Sequence, residues 1–239
     1  MTFFNASEPL IRCKQEHLDV QDREGLLRLR WKIGNFTLFS GLYTRIDQTF
    51  LLWGAVTAGI FVTAQFVPIS WSTQAILWST MTLIATGGMA VLTLFWVKVE
   101  RVSWILYCWA ILMLGGLAVT DCSIFAGWGC VLLHLCDLWL GLSAIGYFCT
   151  GLGLRSRAFI SIALAHLGAI GLLPFVAPWQ YLTAGIVIAG SLLLLSQLQW
   201  DMRPPIENTL LSEEQKEFNR IQHLLRQRNA TAIEQLEKM

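Results

Sequence analysis

The chain has 239 residues, of which 55% are hydrophobic and only 14% charged, and its mean hydropathy is +0.55. That composition lies outside the range of soluble domains and marks an integral membrane protein. A net charge of +1, with no basic stretch interleaved with aromatics, excludes the kind of surface that nucleic acid requires.

The charges are unevenly placed. Between positions 48 and 200 only Lys98, Glu100, Arg101, Asp121, Asp137, Arg155 and Arg157 are charged, and all the others lie in the two tails. A lipid-embedded centre with two solvated ends follows, divided as residues 1–47, 48–200 and 201–239. The expected partners are membrane lipids and other membrane proteins. Residues 1–5 have no basic n-region, and acidic residues recur from Glu8 to Glu24 before any long apolar run, so no signal peptide is expected.

From Leu27 the apolar residues Leu27, Leu29, Trp31 and Ile33 alternate with Arg28, Arg30 and Lys32, a period of two that predicts a strand with one apolar and one basic face. Gly34 and Asn35 suit a tight turn, and residues 36–39 then return as a second strand. The stretch 26–39 is thus a short amphipathic hairpin, or an interfacial helix, with its basic residues toward lipid headgroups. The simpler alternative is a positive flank that fixes topology.

Six segments have the length and apolarity to cross a hydrocarbon core: 48–68, 73–97, 102–121, 127–152, 158–175 and 179–199. The short connections between them make sequential helices antiparallel neighbours. Lys98 and Arg101 fall between the second and third segments, and Arg155 and Arg157 between the fourth and fifth. The other loops have no Lys or Arg. The positive-inside rule then places both termini on the cytoplasmic side of an all-α bundle of six transmembrane helices. Trp71, Trp128 and Trp179 fall at outer boundaries and Trp96, Trp104 and Trp200 near inner ones, forming an aromatic belt. Gly54 with Ala58 and Gly185 with Ala189 have the spacing of close helix contacts. No internal repeat relates the two halves, which weakens an inverted-repeat transporter reading.

After the last segment, Arg203, Pro204 and Pro205 stop the helix. Ser212 and Gln215 form a capping-box pattern, followed by an amphipathic helix to about position 228. Phe218, Ile221, Leu224 and Leu225 supply its apolar stripe, which either docks a partner or packs on the protein itself.

The candidate polar centre is intramembrane. His134 and Asp137 share a helix face. Counted from Trp128 at 1.5 Å per residue, Asp137 lies about 13 Å deep, and His166 lies about 13 Å from the opposite boundary of a core about 30 Å thick. Antiparallel packing would therefore join His134, Asp137 and His166. Such a cluster serves as a register-fixing hydrogen bond, as a proton relay or a substrate or ion site in a small transporter, or, through one or both of His134 and His166, as a haem or metal site. The six cysteines show no CxxC pattern, and free thiols are expected, with Cys122 and Cys130 the one pair near a common outer face where a disulfide could form. Asp121 and Glu100 are expected in solvated loops, Glu100 paired with Lys98 and Arg101. No lysine lies within a span, which excludes a retinal Schiff base, and no catalytic motif, hydrolytic triad or nucleotide loop is present, so no enzyme activity is expected.

The Ile-Gly-Asn-Phe-Thr-Leu stretch from Ile33, the Ala-His-Leu-Gly stretch from Ala165 with Leu172, Leu173 and Pro174, and the Pro-Pro-Ile stretch from Pro204 carry a family likeness. Across about residues 27–206 the chain resembles a family of uncharacterised integral membrane proteins of cyanobacteria and photosynthetic lineages, from which it departs in its longer C-terminal helix. The resemblance implies a thylakoid or cytoplasmic membrane and a non-enzymatic accessory, assembly or scaffold role beside a larger complex. It carries no catalytic residue.

Overall fold

The computed structural model describes residues 3–4, 9–14, 17–33, 36–204 and 208–237, with side chains at all of these except 31–40 and 227–237. Helix dominates. Five helical stretches are long and apolar enough to cross a membrane: Arg45–Phe66, Trp71–Val99, Ser103–Ala126, Leu135–Leu154 and Arg157–Gln197.

Strand β1 (Ile11–Cys13) and the short helix α1 (Val20–Arg23) precede a hairpin of β2 (Leu27–Ile33) and β3 (Phe36–Tyr43). The hairpin pairs Leu27 with Tyr43 and is irregular at Trp31 and Lys32. The expected turn residues Gly34 and Asn35 lie outside the described residues. Leu27, Arg28, Leu29 and Arg30 are all exposed, so both faces of β2 project from the bundle.

Thr44 starts α2 (Arg45–Phe66) with a reciprocal capping box, its hydroxyl accepting from the Asp47 amide while Asp47 accepts from the Thr44 amide. Ser70 caps α3 (Trp71–Val99). Arg101, at φ 52°, turns the chain into α4 (Ser103–Ala126), which Gly127 ends in the left-handed conformation at φ 69°.

The fourth expected segment is broken. A five-residue helix, α5 (Gly129–Leu133), stops at His134, whose φ of −114° and ψ of 24° are not helical. Helix α6 (Leu135–Leu154) then starts afresh. The last apolar stretch consists of α7 (Arg157–Leu172), a 3-10 segment (Leu173–Trp179) with a non-helical Val176, and α8 (Gln180–Gln197). Pro174 and Pro178 flank the kink, where an absent amide and a fixed φ disfavour a continuous helix. Strand β4 (Leu198–Trp200) pairs antiparallel with β1, and α9 (Glu213–Glu237) completes the chain.

Helices α2, α3, α4 and α6 pack in sequence, and α8 closes back on α6 and α2, leaving α7 outside against α6 and α8. The ring surrounds an elongated apolar cavity of 160 Å³. Glycine permits the closest approach between α2 and α8. A Cβ on Gly185 would meet the Phe61 Cβ at 2.6 Å, and one on Gly54 would meet Leu193 at 3.1 Å. These contacts replace the apolar driving force that lipid removes.

One end of the ring gathers the start of α2, the α3–α4 and α6–α7 turns and the exit from α8. We call it the tail end and its opposite the far end. Asp201 organises it. Its carboxylate accepts from the Ser156 hydroxyl at 2.8 Å and from the Arg157 and Ala158 amides, each at 3.0 Å, and pairs with Arg157 Nε at 3.0 Å. The start of α7 and the end of α8 are therefore side by side, and the two helices run antiparallel. Burial opposes the charge on Asp201, but the Ala158 and Arg157 amides, the Arg157 guanidinium and Ser156 together hold its carboxyl below the usual carboxylate range. Asp201→Asn, which removes the charge but keeps the shape, is expected to cost roughly 1.5–3 kcal/mol. Thermal unfolding in detergent at neutral pH measures this, and an unchanged midpoint would show that the carboxylate is not what joins α7 to α8.

Candidate functional site

The expected histidine and aspartate cluster divides into two. His134 Nδ1 and Asp137 Oδ2 are 2.7 Å apart, but the pair sits at the far end, with side chains 69% and 33% exposed. The break at His134 makes Asp137 a first-turn residue of α6 and removes the depth assigned to it from an unbroken helix. His166 is fully buried in the middle of α7, with Nδ1 2.8 Å from the Ile162 carbonyl and its ring 5.0 Å from that of Tyr147. Tyr147 lies ten residues along α6 from Asp137, about 15 Å of helix rise, so His166 and Asp137 are at different depths.

Two histidines so separated do not form an axial pair for haem. Among the described residues no three His, Cys, Asp or Glu side chains are grouped to hold a metal. All six cysteines are free thiols, Cys122 and Cys130 included. His166 Nε2 is buried without a partner among the described residues. An unpaired buried acceptor costs more than an apolar replacement of similar volume, so His166→Leu is expected to leave the thermal midpoint unchanged or raise it. A large fall in that variant would instead reveal a partner for Nε2.

The denser polar constellation lies at the tail end, built from residues far apart in sequence. Glu100, expected to be solvated, is 2% exposed. It accepts from Gln21 Nε2 at 3.0 Å, and Gln21 in turn accepts from Asn219 Nδ2 at 3.0 Å. Asn219 also accepts from the Val20 amide at 2.8 Å, which fixes α9 to the start of α1. One turn pair further along α9, Arg226 pairs with Asp19 at 3.0 Å and donates to the His17 carbonyl at 2.8 Å. Arg203 donates to the Glu100 carbonyl, and Asn208 donates to the Lys98 and Val99 carbonyls, satisfying the last groups of α3. Lys14 bridges to Asp47 at 2.7 Å.

Trp96, expected in an interfacial belt, is buried, with its indole N–H donating to Asp22 at 2.9 Å. Trp71, Trp104, Trp128 and Trp179 are exposed at the ends of the ring. Asp121 also departs from a solvated loop position. Helix α4 continues past it to Ala126, and the Ser79 hydroxyl donates to Asp121 at 2.7 Å across α3 and α4.

Ser212 and Gln215 cap the start of α9 reciprocally, at 2.9 and 3.3 Å. The apolar stripe of α9 is split by its attachment. Phe218 is half-buried, with Arg23 5.2 Å above its ring, and Leu225 is half-buried. Ile221 and Leu224 remain 47% and 51% exposed. Asn219 and Arg226, the residues that fasten the helix, belong to its polar side.

Burial pushes the Asp22 carboxyl up to about 7, helped by nearby Asp19 and Glu100 and opposed by the Trp96 hydrogen bond and Arg226. Glu100 is also raised, first by burial and then by Asp19, against the Gln21 hydrogen bond and Arg203 and Arg226. Both groups hold protons in the folded protein that the unfolded chain has already released. The contribution of these two groups to stability is therefore greatest below the ordinary carboxylate pKa of about 4 and is lost as pH rises through about 7. The thermal midpoint is expected to drop between about pH 5.5 and about pH 8, and Asp22→Asn to remove most of that drop. Parallel profiles for the variant and the native chain would contradict it.

Comparison with known proteins finds no matching family model, no similar curated protein and no similar solved structure.

Proposed function

We propose that the chain is a non-enzymatic membrane protein that crosses the bilayer six times and serves as an accessory or assembly subunit beside a larger membrane complex. Six crossings follow if the last apolar stretch is counted as two, as the kink at Val176 and the pairing of Asp201 with Ser156 support. Lys98, Arg101, Arg155 and Arg157 lie at the tail end, and the far-end connections 67–70, 127–134 and 173–179 have no Lys or Arg. That asymmetry supports a cytoplasmic tail end, with both termini on that side. The sequence resemblance to proteins of phototrophs is what supports a cytoplasmic or thylakoid membrane as its place.

The observation that carries the accessory reading is the way α9 is held. A surface helix normally turns its apolar stripe inward. Here buried polar contacts through Asn219 and Arg226 secure the helix, and Ile221 and Leu224 face outward from a rigid base. Such a side-chain pair suits an apolar groove on a partner's cytoplasmic surface. The transport reading rests on His134, Asp137 and His166 meeting, and a bis-histidine haem on His134 meeting His166, so their separation weighs against both.

A photo-activated cross-linking residue at Leu224 is expected to give one discrete protein adduct in native membranes. Ile221→Lys with Leu224→Lys is expected to reduce that association at least tenfold, as about 1.4 kcal/mol or more of lost apolar burial requires. Adducts only to lipid, or an association indifferent to the double substitution, would overturn the reading.

A further inference from the structure

The cavity inside the ring has the shape and chemistry of a ligand site. On α2 its wall runs from Ile46 to Ala64, eighteen residues and about 27 Å of rise, close to the roughly 30 Å of a hydrocarbon core. The centre of a water-sized sphere has 160 Å³ to move in. Spread over that length and widened by the 1.4 Å of the sphere itself, the space averages a channel about 2.8 Å in radius. A hydrocarbon chain needs about 2 Å, half the 3.5–4.0 Å carbon–carbon contact distance. An extended chain fits, whereas a planar macrocycle does not.

The wall is almost wholly apolar. None of its lining residues is exposed. Four of its threonines donate within their own helices, Thr49 to Arg45 at 3.0 Å and Thr93 to Met89, Thr120 to Gly116 and Thr150 to Gly146, each at 2.8 Å. Such a space stays dry or takes an apolar guest.

Among the described residues two lining side chains keep an unpartnered buried polar atom, the indole N–H of Trp53 and, near the far end, a carboxylate oxygen of Asp121. Asp121 Oδ2 accepts from Ser79, but its Oδ1 is buried without a partner among the described residues, on the cavity wall. An unpaired carboxylate oxygen there calls for a donor. A neutral hydroxyl supplies one without the desolvation cost of a second charge.

We propose that the cavity binds one long-chain lipid alcohol, its hydrocarbon chain lying along the ring and its hydroxyl donating to Asp121. The aromatic wall supplies the assay. A long-chain alcohol brominated at mid-chain quenches tryptophan, and Trp53, Trp109 and Trp139 line the space. In the purified full chain in detergent, quenching is expected to saturate at about one alcohol per protein, the stoichiometry of a single site. Ser143→Phe, which fills the channel, is expected to weaken binding at least tenfold, and Thr57→Phe does the same from the opposite helix. The matching brominated alkane, which lacks the hydroxyl, is expected to bind the native chain about tenfold more weakly than the alcohol, with the difference lost in Asp121→Leu. The alkane comparison on the native chain requires no substituted protein to fold. Unsaturable quenching, or quenching equal for alcohol, alkane and a brominated phospholipid, would assign the signal to lipid around the bundle and overturn the proposal.

Discussion

In hydrocarbon, an apolar side chain gains little by moving from lipid to a neighbouring helix, so a bundle is held by close packing and by polar groups that have nowhere else to pair. The two are separated in this protein. Along the length of the ring the helices meet through glycine and ring stacking, as at Gly185 against Phe61 and Trp109 against Tyr147. The ionic and amide contacts collect at the tail end, where Asp201, Glu100, Gln21, Arg203, Asn219 and Arg226 lie.

That division has a mechanical meaning. The polar contacts between ring helices, such as Trp78 to Thr63, Ser79 to Asp121 and Trp109 to Thr150, each join neighbours around the ring, and among the described residues none spans its axis. The 160 Å³ cavity persists for this reason. At the tail end, the buried carboxylates of Asp201 and Glu100 meet an arginine and also accept amide or hydroxyl hydrogen bonds, so desolvation is offset by more than Coulomb attraction alone.

Much of the bundle was legible in the sequence, since length and apolarity fix a helix in lipid almost unaided. The segments expected at 73–97 and 179–199 correspond to Trp71–Val99 and Gln180–Gln197, with small differences at their ends. The break at His134 was not legible because Val131, Leu132, Leu133 and Leu135 continue the apolar run on both sides, and a single non-helical residue has no compositional mark. That one residue moved Asp137 to a helix end and dissolved the expected cluster. The tail-end layer was hidden for another reason. Gln21, Glu100 and Asn219 are each unremarkable in their own neighbourhoods, and only the fold brings them together. Asn219 and Arg226, seven apart on the polar side of α9, are the sole local hint, easily overlooked beside a conspicuous apolar stripe.

The pairing of Ile11 with Trp200 across β1 and β4 bears on how the molecule is made. Strand β1 leaves the ribosome early, but the edge it pairs with is synthesised only after α8. Its partner for the other half of the layer, α9, follows later still. The early strand must wait, unpaired, through the insertion of every helix between, and loop closure over so long a stretch contributes nothing until the ring exists. The tail-end layer is consequently the last part to assemble. A truncated or misinserted chain would leave buried-type carboxylates and an unpaired strand edge in water, a feature by which a cell's quality control distinguishes a finished bundle from an unfinished one.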